Sequence, residues 1–546
     1  MKRKAVAAVL TAVMVASMFT GCGSDNGSSS AKSASAASAA SAANDTVDED
    51  GKVNGIMYQE GLPLVDEGDY TFSIFCDDSS ESGEFIMLDE FKKQTNVDVD
   101  LKIYPYETAT ERLNLDHQFL GRGISGLRRR IRPNAILTYG VNQGVFIPLE
   151  DYFEKYCPNI SAILDLPGVR EKMTAPDGHI YTIPYVCTDT TVGYSPYINT
   201  KWLENVGMSM PTTTDEFEAV LKAFKEQDAN GNGDASDEIP FSTDPNNKHI
   251  EAMAGYFGLP MNKLGIAIQN EKVVYGGVSD TYREFLSWFH KLYAEGLVDV
   301  ELYTQDSSTW EGKGNQDLYG VSIAYGSNEF TGIPAAEERG DFDSMPVLNT
   351  DKDGIWLRDT EGFSVYRTQA VITNKAEHPE IICRWFDNAF ALENGIGCNR
   401  GPVGVIVNKE DDGYHAIDTT TLSEEDQEKY SWGNLWPQSL PKYLPVDFEF
   451  VEEHPMYDEK KATEEAYEAN LTKEIIPSYW IDLDKIDTFS DTNTAIKDFF
   501  EQQQAQFVCG ELDIDNDADW QAYVDGMYSL GLEDWVATQG IEEIAK

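Results

Sequence analysis

The spacing of apolar positions changes several times along this chain, and each change marks an element. "YTFSIF" (residues 70–75) alternates apolar and polar side chains and is rich in aromatics, which predicts a half-buried strand ending at Asp77 and Asp78. "GEFIMLDEFKKQTN" follows with helical spacing, and "VDVDLKIYPY" returns to a strand. Strand, helix, strand in that order predicts a parallel sheet closed by a crossover, hence an α/β fold. "GVFIPLEDYFEKY" and "HIYTIPYV" extend the same pattern.

Further on, "PTTTDEFEAVLKAFKE" opens on Pro and Thr and carries an acidic first turn. Its apolar positions are Phe217, Val220, Leu221 and Phe224. This is a capped amphipathic helix. "TYREFLSWFHKLYAEGL" predicts a second, ending at Gly296. "GFSVYRTQAVITNKAEHPEIICRWFDNAF" reads as a strand and then a Pro-initiated helix, and the tail from Asp517 is mostly helical. No internal repeat is visible.

The N terminus has a different pattern. "MKRK", an apolar run and "TGC" predict a secretory signal over residues 1–21. "FTGCGS" resembles a bacterial lipobox, which makes Cys22 the lipidated residue and mature N terminus. The alternative is an ordinary signal with an incidental cysteine. Residues 22–67, with their Ser/Ala run, read as a flexible linker. No later segment has the roughly 20 uninterrupted apolar residues of a spanning helix. A lipid anchor is therefore the expected membrane contact, on the extracellular face of a bacterial, Gram-positive-type cell.

At 546 residues, 41% of them hydrophobic, the chain is long enough for two or more cored domains. Lys and Arg number 42 against 94 Asp and Glu, a net charge of −52, which repels nucleic acid. Beyond Cys22 the cysteines are Cys76, Cys157, Cys187, Cys383, Cys398 and Cys509, with no CxxC pair. They are expected as scattered buried thiols, with disulfides left open.

Several of these segments together resemble the extracellular solute-binding proteins of carbohydrate ABC importers. The lipobox, "GVFIPLEDY", "DGHIYTIPY", "YINTKWLENVGMSMPTTTDEFEAVLKAFKEQDANGNGDASDEIPFS", "FHKLYAEGLVD" and "AVITNKAEHPEIICRWFDNAF" carry the resemblance. It implies two α/β lobes joined by hinge crossings, with a cleft that closes on a sugar. The lobes are expected at 68–192 plus about 362–410, and at 193–361 plus about 411–546. The implied function is capture of an oligosaccharide by a monomer and delivery to the membrane permease. A surface glycoside hydrolase is the competing enzyme reading, and a sugar-sensing component without transport is a third. No hydrolase, P-loop or nucleophile signature supports the enzyme.

A sugar site needs carboxylates for hydroxyl groups and aromatic rings for sugar faces. Trp288 and Trp385 sit at helical spacing and are expected in cores. Trp310, Trp356, Trp432 and Trp436 lie in polar, loop-like contexts; each reads first as a packing residue, and as a group they are expected to supply at least one stacking platform. Asp77, Asp78, Tyr194 and Tyr325 complete the ligand candidates.

"DANGNGDASDEIP" alternates Asp228, Asn230 and Asn232, then turns at Gly233 into Asp234. Alternating oxygen ligands on a turning loop converge on a hard cation, as in the first half of an EF-hand. The twelfth position is Ile239, so the loop is not a complete EF-hand. The resemblance implies a structural calcium site in which Asp237 and Glu238 also take part, although this acidic pair arrives one residue late. The alternative is an Asx-turn loop closed by its own hydrogen bonds.

One stretch breaks the acidic pattern. "GRGISGLRRRIRPN" groups Arg122, Arg128, Arg129, Arg130 and Arg132. An acidic chain without interleaved aromatics opposes a nucleic-acid patch. A solvated insert, or a segment translated out of frame where similar proteins carry a turn and a strand, remain as readings. In the latter, Arg128 to Arg132 fall in a buried strand slot.

Overall fold

The computed structural model describes residues 45–77, 84–104, 123–126, 135–246, 249–332, 340–417, 419–445, 448–451 and 455–545. The signal segment, Cys22, Asp78 and the arginine stretch from 127 to 134 lie outside them, as does the side chain of Asp77.

The first lobe begins earlier than its sequence suggests. Lys52–Val53 and Met57–Tyr58 pair as a short antiparallel hairpin, with Val53, Met57, Leu64 and Val65 essentially fully buried. Arg384 donates to the carbonyl oxygens of Tyr58, Gln59 and Gly61. The expected linker up to residue 67 is thus corrected: residues 45–66 are docked. Their apolar side chains follow no regular period, so only packing shows that they belong to a core.

The chain then forms β1 (Tyr70–Asp77), α1 (Ile86–Thr95), β2 (Val97–Tyr104), β3 (Gly123–Gly126), α2 (Glu150–Tyr156), α3 (Pro158–Leu164) and β4 (Thr182–Thr188). It crosses to the second lobe for β5 (Ser195–Asn199), α4 (Thr214–Glu226), β6 (Ile239–Thr243), α5 (Asp280–Ala294), β7 (Tyr319–Ala324) and β8 (Phe342–Ser344). It returns for β9 (Phe363–Ile372) and α6 (Pro379–Ala389). Later come α7 (Pro455–Tyr467) and α8 (Ile486–Cys509), followed by helices at Asp517–Ser529 and Leu532–Thr538.

The first sheet has the order β2-β1-β3-β9-β4, the second β8-β5-β7-β6. β1 pairs in parallel with β2 and β3, as the strand–helix–strand pattern predicts, and β9 runs antiparallel to β3 and β4. "GISG" occupies the slot between β1 and β9, with Ile124 opposite Ile74. Flanking glycines disguise so short a strand. Arg128 to Arg132, which one reading puts in a buried strand slot, lie outside the described residues.

Each sheet carries its own core. Phe72, Ile74, Phe91 and Trp385 lie in the first, and Trp202, Phe217, Phe241 and Phe289 in the second. α4 shows how the sequence builds it. Thr213 caps the helix by accepting from Glu216 N at 3.2 Å, and Phe217, Val220, Leu221 and Phe224 are all buried. Trp436 and Leu440 pack into the first core, not the second, so residues around 436–440 leave the lobe expected for everything beyond 411. The six described cysteines are free thiols.

Candidate ligand site

The chain passes between the two sheets at residues 189–194 and back at 356–363, and these crossings are laced together. Asp189 N donates to Gly362 O (3.1 Å), Thr360 Oγ1 to Thr190 O (2.9 Å) and Asp359 N to Thr191 O (2.9 Å). Ser364 Oγ donates to Asp189 Oδ2 (2.5 Å), and Gly193 N to Asp359 Oδ2 (2.7 Å). A Cβ at position 193 would stand 2.6 Å from that carboxylate oxygen, so the approach needs glycine.

α7 closes over the crossing. Lys460, Thr463, Glu464 and Tyr467 share one face, because helical residues three and four apart are neighbours. Glu464 Oε1 accepts from Thr191 N (2.6 Å) and Oγ1 (3.1 Å). Lys460 Nζ donates to Gly193 O (2.7 Å) and stands 4.0 Å over the Tyr325 ring. Glu459 accepts from Ser327 N (2.8 Å) and Oγ (2.5 Å).

Burial dominates the electrostatics. Lys460 is 5% exposed, and burial pushes its ammonium down to about 8 against the pull of Glu459, Glu329, Glu464 and Asp359. Protein crowded around Asp359 pushes its carboxyl up even though its edge stays open to water, and the Gly193 N–H opposes this. Burial also raises Glu329 and holds His249 down to about 4, so the imidazole is neutral near pH 7.

Aromatic faces gather at the same place. His249 stacks on Tyr194 at 4.0 Å and 10°, with Tyr325 edge-on to Tyr194 at 6.1 Å. Tyr185 stacks on Tyr366 at 5.3 Å, and Tyr366 is 44% exposed. Flat rings beside carboxylates and one ammonium can hold a polyhydroxylated ligand by stacking and by accepting from its hydroxyls.

Of the sequence candidates, Tyr194 and Tyr325 come together here. Asp77 ends β1, with its side chain outside the described residues. Three of the four loop-context tryptophans are packing residues. Trp310 is buried with Nε1 on Ser322 Oγ (3.2 Å), Trp356 packs against Tyr256 and Tyr467, and Trp436 stacks on Trp385 at 5.6 Å. Only Trp310 turns in from between exposed neighbours, whereas Trp436 lies in a run, 435–440, that is buried throughout although Gln438 and Ser439 are polar. Trp432 is 52% exposed, with the Lys442 ammonium 5.3 Å from its ring centroid. The sequence reading missed His249, Asp189, Asp359, Lys460 and Glu464. A Lys and a Glu four apart on a helix look like an ordinary surface pair.

The loop between α4 and β6 folds by Asx turns. Gly233 N donates to Asp228 Oδ2 (2.9 Å), Asn232 N to Asn230 Oδ1 (3.0 Å) and Asp234 N to Asn232 Oδ1 (2.7 Å). Asp237 accepts from the Asn230 and Asn232 amides, while Ser236 turns to Asp234. Gly231 and Gly233 supply positive φ. Internal hydrogen bonds leave two acceptors over. Asp228 Oδ1 and Glu238 Oε2 are buried with no donor among the described residues. Burial raises the Glu238 carboxyl, against hydrogen bonds from the Ala229 and Asn230 backbone.

Two sheets with separate cores, joined by laced crossings that gather aromatic and acidic side chains, define a two-lobed solute-binding fold. No family model matches the chain. It is 30% identical over 411 residues to the fructooligosaccharide ABC transporter substrate-binding protein FusA of Streptococcus pneumoniae, covering 73% of this chain and 70% of FusA. Lipoprotein LipO of Bacillus subtilis is 30% identical over 218 residues, 38% of this chain and 40% of LipO. The solved structure of S. pneumoniae FusA with kestose superposes with a TM-score of 0.73 at 25% identity, covering 86% of this chain and 98% of that one. An EF-hand mutant of FusA with fructo-nystose gives 0.72 over the same shares, also at 25% identity. The chain belongs to the oligosaccharide substrate-binding proteins of ABC transporters, a family of binding proteins and not of enzymes. Among the described residues no helix is long and apolar enough to cross a membrane.

Proposed function

We propose that this chain captures a neutral oligosaccharide of the fructooligosaccharide class and presents it to its permease. The match to kestose-bound FusA carries this reading. Tyr194, Tyr325 and the Tyr185–Tyr366 pair offer stacking faces, and Asp189 and Asp359 accept from hydroxyls. Lys460 and Glu464 are positioning residues that hold the crossing. Capture is by a monomer, held at the extracellular face through a lipid on Cys22, and labelled palmitate should be lost in Cys22→Ala. A signal segment over residues 1–21 fits this placement, as does the relative named a lipoprotein.

Asp228, Asn230, Asn232, Asp234, Asp237 and Glu238 would hold calcium. The ion would supply the positive charge that the loop's two donorless buried oxygens call for. Its role is structural, between α4 and β6.

Calorimetric titration with kestose, nystose and fructose tests the sugar assignment. One site that binds the oligosaccharides more tightly than fructose is expected. Heat from peptides but from no carbohydrate would remove the reading.

A further inference from the structure

Arg367 lies in β9 and is 9% exposed. One nitrogen, Nη2, donates to Tyr479 O at 2.5 Å, and the guanidinium stacks 4.2 Å over the Trp480 ring. The other, Nη1, is shielded from water and has no hydrogen-bond partner among the described residues. Trp480 Nε1, on the ring beneath it, is likewise buried and unpartnered among them. Two donors on stacked side chains, one of them cationic, thus have no acceptor there.

A buried cation left unpaired is costly, so proteins pair such groups or hydrogen-bond them fully. This chain has 94 acidic residues to draw on. Yet burial pushes Arg367 down to about 10, with no carboxylate of the described residues to offset it. The location adds meaning. Trp480 packs on Ile136, Tyr181 and Val371 of the first lobe, while Ile481 packs on Leu137 and Ile486. Arg367 therefore pins the stretch before α8, which leads into the second lobe, onto the first sheet.

We propose that Arg367 and Trp480 hold a small monovalent anion, chloride or a carboxylate, where residues 479–481 dock on the first sheet. Both ions accept N–H bonds without needing a proton in return, and one negative charge balances one guanidinium. Water would satisfy a donor and leave the charge unbalanced. Phosphate or sulfate would bring a second charge with no second cation. This inference does not depend on the sugar reading.

The test is the melting temperature of the purified protein in sodium chloride, in sodium acetate and in the sodium salt of a bulky sulfonate, at equal ionic strength and calcium. Chloride or acetate should raise the wild-type value by about 1–3 °C along a saturating curve, as mass action on a native-state site requires. Arg367→Met should abolish the difference. Arg367→Lys, which keeps the charge but loses the planar stack, should move half-saturation to at least about fivefold higher concentration. Should Arg367→Met not fold, the Arg367→Lys shift decides alone. A uronate-bearing oligosaccharide that stabilises the wild type alone, where free anions do not, would make the ligand the source of the same carboxylate. Equal wild-type melting in every salt and no effect of the uronate, or a saturating shift that a variant retains unchanged, overturns the proposal.

Discussion

α4 and α7 are helices of equal length, 13 residues each, and they turn opposite kinds of face inward. The inner face of α4 is Phe217, Val220, Leu221 and Phe224, sealed in the second core. That of α7 is Lys460, Thr463, Glu464 and Tyr467, laid across the crossing between the lobes. Apolar burial is non-directional and holds one geometry tightly through many small contacts. A hydrogen-bonded crossing is directional, satisfied with fewer contacts, and open to an incoming hydroxyl. The first arrangement makes a lobe, the second a joint beside the proposed ligand site.

The largest effect separates the two helices directly. Phe217→Ala removes a fully buried ring packed against Phe241 and Trp288 and should cost about 3–5 kcal/mol in chemical denaturation. Oligosaccharide affinity of the folded fraction should stay the same. A cost under about 1 kcal/mol would mean that α4 is not held by its apolar face.

Next comes the loop that joins α4 to β6. Asp228→Ala should cost about 1–3 kcal/mol with calcium present and much less in chelator, because the wild type loses the ion's contribution there too. Equal cost in both conditions would make Asp228 a turn former only.

At the crossing the effect moves from stability to binding. Lys460→Met should weaken oligosaccharide affinity about tenfold, or ~1.4 kcal/mol, by releasing Gly193 O. It also has a pH signature. Burial holds the folded ammonium down to about 8 against 10.5 when unfolded, so the unfolded chain binds more protons in that window. Raising the pH from about 8 to about 10.5 should therefore stabilise the wild type relative to Lys460→Met, and a flat difference would show that this lysine is not desolvated.

The smallest effect sits at Trp432, exposed under Lys442. Trp432→Ala should change stability by no more than about 0.5 kcal/mol and leave affinity unchanged. Lost affinity would restore it as a stacking platform.

The same contrast governs what could be read from sequence. The α4 stripe, the parallel β1–β2 pair and the Pro-initiated α6 are legible because burial imposes a period on the residues. The Asx-turn loop at 228–238 is legible because all its hydrogen-bonding side chains come from one short segment. The crossing assembles Asp189, Lys460, Asp359 and His249 from four distant segments, and no local period marks any of them. The tryptophans are hard to place for a related reason. At Trp310 the neighbours face water while the indole turns inward, and at Trp436 polar Gln438 and Ser439 are buried with it, so local polarity marks neither exposure nor a site. Val53 and Met57 hide beside a low-complexity run although they complete the first core.

The central claim is that the ligand stacks at the crossing, and titration of a fructooligosaccharide into wild type and Tyr194→Ala tests it most directly. The Tyr194 ring is half-buried: it stacks on His249, has Tyr325 edge-on to it and packs at the margin of the second core. The account expects affinity to fall at least about tenfold while the unliganded melting temperature moves by about 1–2 °C or less. Unchanged affinity in a folded Tyr194→Ala protein would place the sugar elsewhere.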